Sequence, residues 1–228
     1  KSLEKLEEDL YLSSPDVIVI ISPHGGFFKD AFTIHHAVEY ETDFREFGDL
    51  ATRAKFHGET NLTYQIREAT KGASIPATMI SEKIIDHGSA VPLIYLTAHL
   101  PNVKIVPIGF CDLDWKIHTD FGYLIKEQIM NTNKRVAVIA SGDLSHALNN
   151  ESPAGFNPAG SEFDKKIQEL LENHNVDGML RLDQKLTNDA AECGLRSFLI
   201  LMGILRGVDY NYKLYAYEGP FGVGYLVA

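Results

Sequence analysis

One stretch decides most of what this chain can fold into. Val17-Ile18-Val19-Ile20-Ile21 is a run of five β-branched aliphatic residues set just after Ser13-Ser14-Pro15. Two heavy substituents on Cβ restrict χ1 and suit extended backbone. With no polar residue at alternate positions, such a strand has no face to give to water. It belongs inside a sheet covered on both sides, the situation of parallel strands in α/β proteins. The Ser-Ser-Pro ahead of it stops a helical pattern in which Leu3, Leu6 and Leu10 share one face.

Strand and helix signals alternate from there on. Strand patterns fall near 33–40, 54–57, 77–80, 103–108 and 135–140. A helical stretch from Leu62 to Ala69 ends at Gly72, and Ser89 can cap a second helix that stops before Pro101. Helices are also predicted over 114–130, in two pieces over 161–182, and from Asp189 to Leu205. The tail, 211–228, reads as a hairpin. The expectation is one α/β domain over 1–228, with a largely parallel or mixed central sheet, helices on both faces and a C-terminal β-hairpin. Lys1 already lies inside a helical pattern and Gly224–Ala228 reads as an unfinished strand. The expectation is therefore a chain cut at its N-terminus and followed by a further domain after 228.

Composition removes several function classes. The 228 residues carry a formal charge of −10, which repels a phosphate backbone and argues against nucleic-acid binding. No apolar run approaches the ~18–20 residues of a membrane helix. Cys111 and Cys193 are the only cysteines and lie far apart, which excludes a disulfide scaffold and points to a reducing, cytoplasmic setting.

Ligands of open α/β sheets collect beyond the carboxyl ends of the strands. Four segments occupy such positions: Ser22-Pro23-His24-Gly25-Gly26, Asp86-His87-Gly88-Ser89, Ser141-Gly142-Asp143-Leu144-Ser145-His146, and Ala190-Ala191-Glu192-Cys193-Gly194. Taken singly, each has a plain structural role. His24 and His87 can be turn residues. Glu192 sits three residues after Asp189, the spacing of a capping box. Cys193 can be a small buried hydrophobe. Taken together, imidazoles and a carboxylate on one rim match the two-histidine, one-carboxylate set that holds non-haem Fe(II) with open positions. Further histidines there supply acid–base capacity near neutral pH. His35, His36 and His57 lie in strand-like stretches, while His99, His118 and His174 read as surface or helix-end residues.

At these residues the sequence resembles the LigB-type class III extradiol dioxygenase superfamily. The resemblance runs in order through His24 after its strand, Asp86-His87-Gly88 with Val91-Pro92-Leu93, Ser145-His146, and Glu192. It implies Fe(II) as cofactor, O₂ and a small catechol-like diol as substrates, and opening of the aromatic ring. By position, His24 is similar to an iron histidine, Glu192 to the iron carboxylate, His146 to the catalytic acid–base and His87 to a substrate-facing histidine. The remaining iron histidine of the family would lie upstream of Lys1. Ala191-Glu192-Cys193-Gly194-Leu195-Arg196 and Tyr217–Tyr225 also look like the Memo branch, in the modules of the AmmeMemoRadiSam system. That likeness makes Cys193 a rival ligand to Glu192, favours Zn or Cu over iron, and implies a metal-binding or redox module serving a fused or partner domain. A zinc hydrolase built on the same imidazoles is a further reading. A homodimer is the prior for a soluble enzyme.

Overall fold

The computed structural model describes residues 1–228. Helix α1 (Ser2–Ser13) ends where Ser14 turns left-handed, and β1 (Val17–Ser22) follows with every residue buried. Next come β2 (Phe32–His35), β3 (Glu39–Thr42), β4 (Lys55–Gly58), α2 (Thr60–Gly72), β5 (Ala77–Ile80) and β6 (Ile84–Ile85). The chain continues through α3 (His87–Leu96), β7 (Lys104–Gly109), α4 (Trp115–Met130) and β8 (Val136–Ala140). Four helices then run in succession: α5 (Pro158–Glu172), α6 (Val176–Leu180), α7 (Gln184–Ala190) and α8 (Leu195–Ile204). The antiparallel pair β9 (Ala216–Glu218) and β10 (Tyr225–Val227) closes the chain.

The sheet is mixed, with a parallel heart. β1 lies between β7 and β8, parallel to both. The far side of β7 is shared by β4, parallel at its start, and β2, antiparallel at its end. β5 extends the sheet beyond β2, and β3 and β6 extend it beyond β4. The alternation of side chains along β1 sorts the core into two layers. Val17, Val19 and Ile21 pack with Leu62 and Ile66 of α2, Phe121 and Ile125 of α4, and Ile200 of α8. Ile18 and Ile20 pack on the opposite face with Tyr40, Ile105 and Leu93 of α3. A third cluster, centred on Leu144, Phe163, Met179 and Leu199, gathers α5 to α8 beside the sheet.

Five local readings change. The stretch 33–40 is two strands, because the chain turns at His36–Val38, where Ala37 N donates to the Tyr40 hydroxyl. Asp86, not Ser89, caps α3 and accepts from Ser89 N at 3.0 Å. The pattern from Asp189 to Leu205 is two helices, since Ala191 is left-handed and Glu192-Cys193-Gly194 is not helical. The Asp189–Glu192 capping box therefore does not form. His118 is fully buried rather than superficial, with Nδ1 3.0 Å from Asp114 O and Nε2 3.1 Å from Cys111 O. β6 carried no sequence signal.

Candidate functional site

Parallel strands β1 and β8 deliver their following loops to the same end of the sheet, and α3 begins beside them. Three polar ties lock these segments together. The Ser22 hydroxyl donates to Asp86 Oδ1 and accepts from His24 N at 3.2 Å. Pro92, inside α3, has no N–H for the carbonyl of Gly88 one turn back. That freed carbonyl accepts instead from the Ser141 hydroxyl at 2.6 Å, joining α3 to the loop after β8. Gly88 is required by closeness: a Cβ there would stand 2.5 Å from Ser22 Oγ and 3.3 Å from the His24 ring.

His24 and His87 thereby stack, with ring centroids 4.3 Å apart, and Phe47 meets His87 edge-on at 4.9 Å. Burial, then the neighbouring His87, pushes His24 below the ordinary histidine pKa, so its ring is neutral at pH 7. Phe47 is exposed and forms an aromatic wall beside the imidazoles.

On the β8 side the loop meets the break between α7 and α8. Gly142 has φ +147°, and a Cβ there would lie 2.6 Å from the Gly194 Cα, so the two backbones touch. Cys193 N donates to Asp143 O at 3.2 Å, and Asp143 N donates to Cys193 Sγ at 3.2 Å. The result is a cluster of ligand-type atoms from Asp143, His146 and Cys193, all within 4.8 Å of one another. His146 Nδ1 lies 2.6 Å from Ala191 O, which places the proton on Nδ1 and turns the Nε2 lone pair toward Asp143 Oδ2, 3.4 Å away. Two acceptors facing each other need a cation between them, either a proton or a metal ion. Without a metal, the bond to Asp143 raises the His146 pKa, favouring a proton in that position. Burial pushes the Cys193 thiol up to about 12, so it keeps its proton until a metal displaces it. The mixed O, N and S donors, with the second ring nitrogen anchored on a backbone carbonyl, fit a divalent transition metal.

The four residues expected at the site divide unequally. His146 and the runner-up Cys193 stand in the cluster; His24 and His87 form a stacked pair near it, and Asp143 joins unforeseen. Glu192 stands outside the cluster: its Oε2 accepts from Leu195 N at 2.7 Å and holds the start of α8. Burial raises its pKa against those bonds and the nearby Arg196. Asp143 was visible in the sequence as an acid three residues before His146, but nothing local separates it from the many exposed aspartates. Tyr225 is a second addition, raised by burial and then by Asp143 and Cys193.

The family model for the catalytic LigB subunit of aromatic ring-opening dioxygenase matches residues 1–228. Protein CA_C1420 of Clostridium acetobutylicum is 34% identical over 237 residues, spanning 100% of this chain and 50% of that protein. The chain therefore covers about half the length of this relative. The crystal structure of uncharacterized protein JW3007 from Escherichia coli K12 superposes with a TM-score of 0.71 at 19% identity, over 98% of this chain and 90% of that one. This last likeness concerns the fold, which it shows to be shared.

Proposed function

Because the chain belongs to the family of catalytic LigB subunits of ring-opening dioxygenases, we propose that it is a metal-dependent oxidoreductase that opens a small vicinal-diol aromatic with O₂. The observation that carries this reading is the Asp143, His146 and Cys193 cluster at the carboxyl end of β1 and β8. These three residues would hold the ion, and His24 is the candidate for a further position. Fe(II) bound there would supply the redox chemistry by which a catecholate and O₂ react.

The chain's own groups do the rest. Phe47 offers an aromatic face for a flat ring, and its contact with His87 fixes the direction from which that ring approaches. His87 stands outside the cluster, within reach of a substrate hydroxyl laid against Phe47, and its imidazole takes up the phenol proton. The bond from His146 Nδ1 to Ala191 O keeps that ring from turning, so Nε2 stays directed at Asp143 and the cluster.

One observation favours a second reading. Cys193, not Glu192, stands among the clustered donors, and a thiolate suits Zn or Cu better than an all-hard set does. A Memo-like metal-binding or redox module without ring cleavage would use the same residues. The test is aerobic turnover of a catechol panel by the full-length protein loaded with Fe(II), Zn or Cu. Oxygen uptake matched by a yellow ring-opened product with Fe(II) supports the first reading. Stoichiometric Cu or Zn binding that requires Cys193, with no oxygen uptake, supports the second.

A further inference from the structure

At the opposite end of β1, β7 and β8, away from the Asp143, His146 and Cys193 cluster, lies a cavity of about 450 Å³. Its floor holds Glu59, a carboxylate only 3% exposed. Two lysines from different segments converge on the same oxygen: Lys134 Nζ lies 2.6 Å and Lys104 Nζ 3.6 Å from Glu59 Oε2. Burial would raise the Glu59 pKa, but Lys134 and Lys104 hold it below the ordinary range. Beside them Arg135 grips Asp16 through two nitrogens, Nε to Oδ2 at 3.2 Å and Nη2 to Oδ1 at 3.0 Å.

Only the carboxylate is buried; both lysine side chains reach solvent, so screening leaves these pairs little to contribute to stability. Their consequence is geometric. One carboxylate fixes two ammonium groups on a cavity wall, close enough for a single phosphate to touch both. Each ammonium keeps further N–H donors for an incoming acceptor. Three cations against two carboxylates leave an excess positive charge in a molecule whose net charge is −10. Only two of the twelve lining residues are hydrophobic, so an apolar ligand finds little to bind. The size suits a small molecule, and the net charge of −10 disfavours a polymeric anion.

We propose that this cavity is a binding site for a small phosphate-bearing anion, held by Lys104, Lys134 and Arg135 over the Glu59 floor. Its position, away from the carboxyl ends of the strands where the candidate metal ligands gather, makes it a second site separate from that cluster. Inorganic pyrophosphate is the probe, titrated into the full chain by calorimetry at constant ionic strength. Saturable binding with one site is expected. Lys134→Gln alone strands a buried carboxylate and can unfold the chain, so the test variant is the double change Glu59→Gln with Lys134→Gln, joined by Arg135→Gln as a separate variant. Each should weaken pyrophosphate at least tenfold, while Lys165→Gln on the exposed face of α5 leaves it unchanged. Absence of saturable binding, or equal affinity in all variants, overturns the proposal.

Discussion

At the scale of single residues, Glu192 and Cys193 are neighbours whose side chains meet different partners. The Glu192 carboxylate is an acceptor for the first amide of α8, whereas the Cys193 sulfur faces Asp143 and His146. Cys193→Ser should therefore lower metal affinity by more than the roughly 10–100-fold expected from losing a supporting contact. Glu192→Ala should keep the metal and cost about 1 kcal/mol of stability, as loss of a helix-end acceptor does. Metal content after dialysis and a urea midpoint separate the two; loss of metal in Glu192→Ala would restore that carboxylate to the ligand set. Gly142→Ala is the sharpest test of the cluster's geometry. Its φ of +147° and the 2.6 Å approach to Gly194 leave no room for a methyl group. The variant should lose more than about 1 kcal/mol and lose the metal with it, because Asp143 can no longer lie against Cys193.

Elements were legible where burial is symmetrical and obscure where it is not. β1 could be read from its side chains alone because both of its faces are covered. The break between α7 and α8 left a weaker trace: the apolar stripe of Leu186 and Ala190 does not stay in phase with that of Leu195, Phe198 and Leu199, and Gly194 falls at the jump that exposes Cys193. Asp143 escaped for a related reason: its importance comes from α7 and α8, fifty residues on. His118 was legible and misread. It precedes Phe121 by three residues and Ile125 by seven, the buried stripe of α4. Burial lowers its pKa, against the pull of the Asp114 and Cys111 carbonyls. With a depressed folded pKa, the unfolded chain takes up this proton first, so stability is retained above about pH 6.5 and lost as pH falls below it. Between pH 7 and 5 the urea midpoint should fall, at up to about 1.4 kcal/mol per pH unit from this group. The pH slope of His118→Gln should be flatter; an unchanged slope would show that His118 titrates as in the unfolded chain.

The whole molecule joins a sheet whose central strand is buried throughout to a helical annex that anchors the loop of the candidate site. β1 contributes to the two sheet layers, while the loop carrying Asp143 and His146 is anchored in the third cluster. The anchor is Asp164 of α5, 1% exposed, whose Oδ1 accepts from Ser145 N at 2.8 Å and whose Oδ2 accepts from the Tyr217 hydroxyl at 2.6 Å. The segment between β9 and β10 completes it, as Leu144 N donates to Gly224 O and Gly224 N donates to Ser145 O. Burial raises the Asp164 pKa, so its charge is tolerated only through those donors. Tyr217→Phe removes one and leaves a buried carboxylate oxygen unmatched, at a cost of about 1–3 kcal/mol. If the annex opens as its own unit, that cost falls on local opening and not on the sheet. Amide exchange at Leu144, Ser145 and Gly224 should then quicken roughly tenfold to a hundredfold in Tyr217→Phe, while Val17–Ile21 keep their native rates. Equal acceleration in β1 would mean that site and sheet open together, and that the Asp143, His146 and Cys193 cluster draws its rigidity from the whole fold rather than from the contact between the hairpin and α5.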